Sequence, residues 1–328
     1  MDTVEVWGTP GERYRDTLPI DPTTGEKPLF VPSDAPGYRP AYEGCEAVDA
    51  NLVLEGGSMR VQFTCGVLDF LSDAGFFPKN IIGVSAGALS GFNYMVGARG
   101  RTCALNIGFC GDPNYMSLWS FFTSGNAFNA EMSFHDIPFE LIPYKLEEFT
   151  GSPCNLTAVV TNLETNRAEY IPIDDPVAGM DYLRASAAMP FVSQTVEVDG
   201  RFYLDGGVAD TVPVDYSLAT GVEKQIVVLS QDRTFVQQRR RANDLAYIKY
   251  RRFPEFADAV AHRFELVNRQ HQRCFELADE GRIFLILPPR RIELAILEND
   301  LGKLYEVYEL GYRTAEEQWP ALKEYMER

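Results

Sequence analysis

A serine set between glycines, Gly83-Val84-Ser85-Ala86-Gly87, follows the apolar pair Ile81-Ile82 and opens the small-residue run Ala88-Leu89-Ser90-Gly91-Phe92. That order reads as strand, sharp turn, helix. A serine on such a turn stands clear of a sheet with its hydroxyl exposed, and the flanking glycines keep bulk away from a crowded backbone. The helix that follows turns its unpaired N–H groups and positive dipole end toward the same spot. An exposed serine beside ready anion stabilisation is suited to attack on an acyl carbonyl.

Two more segments could serve the same chemistry. The loop Gly56-Gly57-Ser58-Met59-Arg60 follows the apolar run Leu52-Val53-Leu54. Adjacent glycines let backbone amides converge on one point, which suits the oxyanion of a tetrahedral intermediate. One such donor is worth about 3–4 kcal/mol of barrier. A plain strand–helix turn and a phosphate-holding loop are the other readings, but neither a Gly-x-Gly-x-x-Gly nor a Gly-Lys-Ser/Thr pattern accompanies it. Asp205-Gly206-Gly207 closes another strand-like run and places a carboxylate at a strand end with no bulky neighbour, although an Asp-Gly pair alone is also an ordinary turn.

The surrounding pattern predicts how these segments are held. Leu52–Leu54 reads as a buried strand, Met59 to Ala74 as an apolar helix stopped at Gly75, Asn80–Ile82 as a second strand and Ala86 to Val96 as its helix. Strand and helix in alternation predict parallel βαβ units with right-handed crossovers. Strands follow at 156–160 and 168–171, a helix at 181–188, a hairpin about Asp199-Gly200 and a buried strand at 225–229. One long helix is expected over 256–278, a strand at 282–287, and a last helix carrying Leu301, Leu304, Tyr305 and Tyr308 at helical spacing. Residues 1–48 are rich in Pro and Gly and read as an irregular arm, 49–230 as the domain with the chemistry, and 231–328 as a mainly helical portion packed on or completing it.

Composition narrows the function. The 328 residues are 45% hydrophobic, enough for one large α/β domain, and carry a net charge of −17, which argues against a general nucleic-acid binder. Six scattered cysteines without a Cys-x-x-Cys pair read as reduced thiols, and no metal or organic cofactor is implied. The beginning of the chain lacks a basic stretch before an apolar core, and no apolar run approaches the about 18 residues a membrane span needs. The expectation is a soluble cytoplasmic protein able to touch a membrane from outside.

Taken in order, the three segments resemble the patatin-like phospholipase family. Its members carry Asp-Gly-Gly-Gly-x-Arg-Gly, Gly-x-Ser-x-Gly and Asp-Gly-Gly/Ala motifs. The stretch Ala185-Ser186-Ala187-Ala188-Met189-Pro190 is similar to the family's Ala-Ser-x-Ala-x-Pro segment. The likeness covers about residues 50–230. It departs at Glu55 for Asp, Ser58 for the third Gly, and Val61 for the Gly after Arg60. The resemblance implies a three-layer α/β/α fold with a mainly parallel central sheet and a helical C-terminal portion. It further implies a serine–aspartate dyad without histidine: Ser85 as nucleophile, Asp205 as base, Gly56, Gly57, Ser58 and Met59 around the oxyanion, and Arg60 supporting that loop. The substrate would be a carboxylic ester of a phospholipid or related acyl lipid. An aspartate with an ordinary pKa near 3.9 is a weak base for a hydroxyl, so Asp205 must be partly desolvated.

Two other readings stay open at this point. A Ser-His-Asp triad in the order of the α/β-hydrolases would draw on His262 or His271, with His135 a weaker candidate, in a general esterase or thioesterase. The same fold could also bind lipid without turnover. The apolar stretch Tyr115–Phe122 could line an acyl groove, form a lid or belong to the core. Arg239, Arg240, Arg241, Lys249, Arg251 and Arg252 form a basic cluster in an acidic chain, suited either to lipid phosphates at a membrane surface or to internal ion pairs.

Overall fold

The structure, a computed structural model, describes residues 29–109, 129, 132–295 and 298–328. The stretch Tyr115–Phe122 lies outside them. Strand β1 (Ala47–Leu54) leads through a short 3₁₀ turn, Ser58–Arg60, into helix α1 (Val61–Asp73). Gly75, at φ 68°, ends that helix in the left-handed conformation. Then come β2 (Phe77–Val84), α2 (Ala86–Met95) and α3 (Arg101–Gly108). A π-helical segment, Met132–Leu141, precedes β3 (Asn155–Asn162) and β4 (Arg167–Pro172). Helix α4 (Ala178–Ala187) precedes the hairpin β5 (Val196–Val198) and β6 (Arg201–Asp205), and β7 is Lys224–Val228.

The expected long helix over 256–278 is two helices, α5 (Pro254–Ala261) and α6 (Arg263–Asp279). They break at His262, whose φ of −101° and ψ of 11° leave the helical range. No Gly or Pro marks that break, so periodicity alone could not foresee it. The chain finishes with β8 (Phe284–Ile286) and α7 (Leu301–Glu327).

The sheet runs β5-β6-β3-β2-β1-β7-β8, with β4 also paired to β3. The β3–β2, β2–β1, β1–β7 and β7–β8 pairs are parallel, while β4, β5 and β6 pair antiparallel. Both faces are covered, as alternation along the strands shows. Leu52, Leu54, Ile81 and Ile226 point into one core with Phe63, Phe92, Ile107 and Tyr308 from α1, α2, α3 and α7. Val53, Ile82, Val84 and Val227 point into another with Cys274 and Leu277 of α6. The result is a three-layer α/β/α fold with a mainly parallel sheet. Beyond residue 231 the chain supplies the sheet's last strand and a helix on each face. Leu29 and Phe30, within the irregular arm, are buried in the first core.

Helices α1 and α7 meet backbone to backbone. A Cβ at Gly66 would stand 2.0 Å from the Tyr308 carbonyl oxygen, and one at Gly311 would stand 1.9 Å from that of Phe63. Tyr308 adds a 2.8 Å hydrogen bond from its hydroxyl to Asp69.

Candidate active site

Register explains how Ser85 and Asp205 come together. Val84, the last residue of β2, pairs with Val159 of β3. Asp205, the last residue of β6, pairs with Val160, the next residue along β3. Strand β4 occupies the opposite edge over the same residues, so β2 and β6 share one edge of β3, one ending where the other arrives. Two side chains 120 positions apart in sequence are thereby delivered to one point.

The turn at Ser85 has the expected form. Its φ of 56° and ψ of −129° are a strained conformation for a residue with a side chain, at the N-terminus of α2. Its amide donates to the Ser186 hydroxyl at 2.8 Å. Two residues on in the same motif, the Ala188 carbonyl accepts the Asp205 amide at 2.9 Å. The Ala-Ser-x-Ala segment therefore grips both halves of the site, a job its sequence did not disclose. Thr161 adds a hydrogen bond from its hydroxyl to the Asp205 carbonyl at 2.8 Å.

Asp205 is 4% exposed and accepts the Gly207 amide at 2.7 Å. Burial pushes its carboxyl above the ordinary range, against the opposing pull of the Arg263 guanidinium, the Ser85 hydroxyl and the Gly207 amide. This is the desolvation that a carboxylate base needs. Arg263 is held close by a hydrogen bond from Nε to the Gly207 carbonyl at 2.7 Å.

The glycine loop lies directly against the serine. A Cβ on Gly56 would fall 2.8 Å from Ser85 Cβ, so only glycine permits this approach. The Gly57 amide has no acceptor among the described residues. Ser58, where the family motif has glycine, is held at φ 50°.

Glu55, the family's Asp position, anchors the loop from below. It is buried, receives a hydrogen bond from His271 Nε2 at 2.7 Å, and accepts the Ser230 amide at 2.6 Å and hydroxyl at 2.9 Å. That hydroxyl also lies 3.2 Å from the Gly56 carbonyl oxygen. Burial alone would raise the Glu55 pKa, but the charge and hydrogen bond of His271 and the bonds from Ser230 hold it below the ordinary range. Burial would likewise lower His271, and Glu55 raises it instead.

This pairing bears on the histidine candidates. His271 is committed to Glu55, His262 lies beside Asp258 at the helix break, and His135 beside Asp136. None of the three lines a cavity that reaches Ser85.

Two cavities meet at Ser85. One, of about 170 Å³, is mostly apolar and includes Met59, Val61, Leu89 and Phe134. The other, of about 300 Å³, holds Gly56, Gly57, Asp205, Arg60, Arg240 and Arg263. Ser58, Ser85 and Met189 belong to both. The six predicted site residues Gly56, Gly57, Ser58, Arg60, Ser85 and Asp205 thus share one cavity, while Met59 faces the apolar one. Among the described residues there is no cluster of three or more metal-ligating side chains.

The family model of the patatin-like phospholipases matches residues 52–218, half of the chain, and the chain belongs to that family. Membership points to a lipid hydrolase in general. A second model, for a domain of unknown function (DUF6363), matches residues 253–327. The chain is 25% identical over 284 residues to the uncharacterized protein YjjU of Escherichia coli (strain K12), covering 79% of this chain and 74% of that protein. VipD from Legionella pneumophila superposes over 84% of this chain and 67% of its own, at 11% identity and a TM-score of 0.44.

Proposed function

We propose that this chain is a serine lipid acyl hydrolase working through Ser85 and Asp205. The Ser85 hydroxyl attacks the acyl carbonyl as its proton passes to Asp205. The Oγ–C bond forms and the carbonyl oxygen becomes an oxyanion beside the Gly56–Met59 loop. Collapse breaks the ester C–O bond, the departing alcohol takes the proton from Asp205, and an acyl-enzyme remains. Water then gives a proton to Asp205 and attacks the acyl carbon; the Oγ–C bond breaks, Ser85 takes the proton back from Asp205 and the fatty acid leaves. The observation that carries this reading is the β3 register, which sets the strained serine beside a buried carboxylate of raised pKa.

The cavities support a division of the substrate, with the acyl chain against Met59, Val61 and Leu89. Outside, Leu245 and Ile248 are 57% and 71% exposed in the segment that bears the basic cluster. Arg241, Arg251 and Arg252 are exposed beside them, whereas Arg239 is paired with Asp244. Exposed apolar and basic side chains together favour contact with an anionic lipid surface. Among the described residues no helix is long and apolar enough to cross a membrane. Cys45, Cys65, Cys154 and Cys274 are free thiols, which fits the cytoplasm.

A fluorophosphonate probe followed by a lipid-ester panel tests the proposal. Wild type becomes labelled and hydrolyses acyl lipids, and Ser85→Ala loses both properties. A wild-type protein that neither reacts nor hydrolyses any ester would leave a lipid-binding module instead. Full activity in Asp205→Asn would end the dyad.

A further inference from the structure

The larger cavity beside Ser85 has an unusual charge pattern for so acidic a chain. Arg60 comes from the turn after β1, Arg240 from the segment before the 3₁₀ turn Arg241–Leu245, and Arg263 from the first residue of α6. All three line the same space of about 300 Å³. Some arginines elsewhere are paired, Arg99 with Asp73, Arg233 with Asp279, Arg239 with Asp244 and Arg290 with Glu306, while Arg241, Arg251 and Arg252 stand exposed to solvent. Among the described residues Arg60, Arg240 and Arg263 have no carboxylate within ion-pair distance.

The acids nearby are fewer than the guanidiniums. Among the described residues Glu55 and Asp205 are the acids that line the cavity. Glu55 is matched by His271, and Asp205 is bonded to the Gly207 amide. Arg60 Nε is buried without a hydrogen-bond acceptor. Burial, with Arg263 and Arg240 nearby, pulls Arg60 below the ordinary arginine range against the pull of Glu55. Three guanidiniums from separate elements are thus gathered at one place beside two acids, one of them already matched by His271.

We infer that Arg60, Arg240 and Arg263 form a subsite for a phosphate monoester on the alcohol half of the substrate, so that the favoured esters are acylated glycerol phosphates. The inference rests on Ser85 being the attacking group. Planar guanidiniums bind phosphate oxygens through paired hydrogen bonds, and a terminal phosphate offers three such oxygens. The apolar cavity lies across Ser85 from this subsite. A chain in one and a phosphate in the other would set the ester carbonyl between them. A choline head group would bring a further cation into the cluster and is disfavoured.

The test uses full-length protein and a matched pair, lauroyl glycerol 3-phosphate and lauroyl glycerol, both kept below their micellar concentrations. Wild type is expected to favour the phosphorylated ester at least about tenfold in kcat/KM, mainly through KM. Arg240 is exposed, so its replacement spares the fold. Arg240→Gln should cut the preference about tenfold, and Arg240→Lys should restore part of it. Equal kcat/KM on the two esters, with no change in Arg240→Gln, overturns the subsite and leaves the serine hydrolase standing.

Binding separates the two readings further. Dodecyl phosphate is titrated calorimetrically into Ser85→Ala, and into Ser85→Ala that also carries Arg240→Gln. Binding to the first that weakens about tenfold in the second supports the subsite even where no ester is turned over, a result that would count against the hydrolase alone. Inorganic phosphate binding as tightly as dodecyl phosphate overturns the head-group assignment in favour of a free-anion site. Absence of binding by both overturns the subsite.

Discussion

Two buried carboxylates flank Ser85, and burial has opposite outcomes for them. Glu55 lies beneath the glycine loop, Asp205 at the end of β6, each within a few percent of complete burial. Glu55 meets a histidine and two donors from Ser230, and its pKa falls. Asp205 meets one amide, a hydroxyl and a guanidinium, and its pKa rises. The first is a structural ion, and the second has the raised pKa that the proposed base requires. Burial sets the cost of a charge, and the partners decide whether it is met. Neighbouring groups with pKa values driven apart are the usual mark of divided roles.

The largest effect should fall on Asp205. Asp205→Asn keeps the shape and removes the base, so ester hydrolysis should drop by at least about 10³-fold. The same change should raise Tm at neutral pH. The folded chain holds this proton more tightly than the unfolded chain, so stability falls as pH climbs from about 3.9 through the raised folded value. Asparagine avoids that loss. Calorimetry showing a lower Tm for Asp205→Asn would mean the carboxylate is stabilising, and the contrast with Glu55 would vanish.

His271→Ala should have the reverse profile. It strands Glu55 without its cation, at a cost of about 3–5 kcal/mol, seen as a large fall in Tm. In wild type the pair's contribution is whole between about pH 4.3 and 6.5. It is lost as pH falls through the lowered value of Glu55, or rises through the raised value of His271. Thermal scans across pH on wild type and His271→Ala check this, and matching curves would deny the pair its anchoring role.

A smaller change is expected in the pH profile of Arg263→Gln. In the proposed mechanism activity requires ionised Asp205, so kcat/KM should fall on the acid side as that group protonates. Removing the guanidinium that restrains its pKa should move the acid limb to higher pH. An unmoved limb would mean that Arg263 does not act on the base. The smallest effect is that of Ser58→Gly, which relieves a positive φ and should stabilise the fold by about 1 kcal/mol in chemical denaturation.

How much of this was readable depended on distance along the chain. Ser85, Asp205 and the glycine loop each have a local signature, because strand-end turns need small residues at fixed offsets. The hairpin at Asp199-Gly200 and the parallel core are visible for the same reason. The partners of Glu55 are not, since His271 lies 216 residues away and no spacing rule links them. Arg263 was hidden likewise, by a helix break without Gly or Pro. The Ala-Ser-x-Ala segment was recognisable as a motif, yet its bonds to Ser85 and Asp205 emerge only when β2 and β6 meet along β3. Of the six basic residues read as one cluster, Arg240 turned into the cavity and Arg239 found Asp244, a division that depends on local backbone direction.

The contact between Gly66 and Gly311 ties the chain's tail to its chemistry. Helix α1 begins at the glycine turn beside Ser85, and α7 is seated on it with no side chain between the two main chains. A single methyl group at either glycine would wedge the rods apart and tilt the turn at the far end of α1. The final helix touches no reacting atom, yet alignment of the amides near the serine is set in part by a residue seventeen places from the C-terminal arginine.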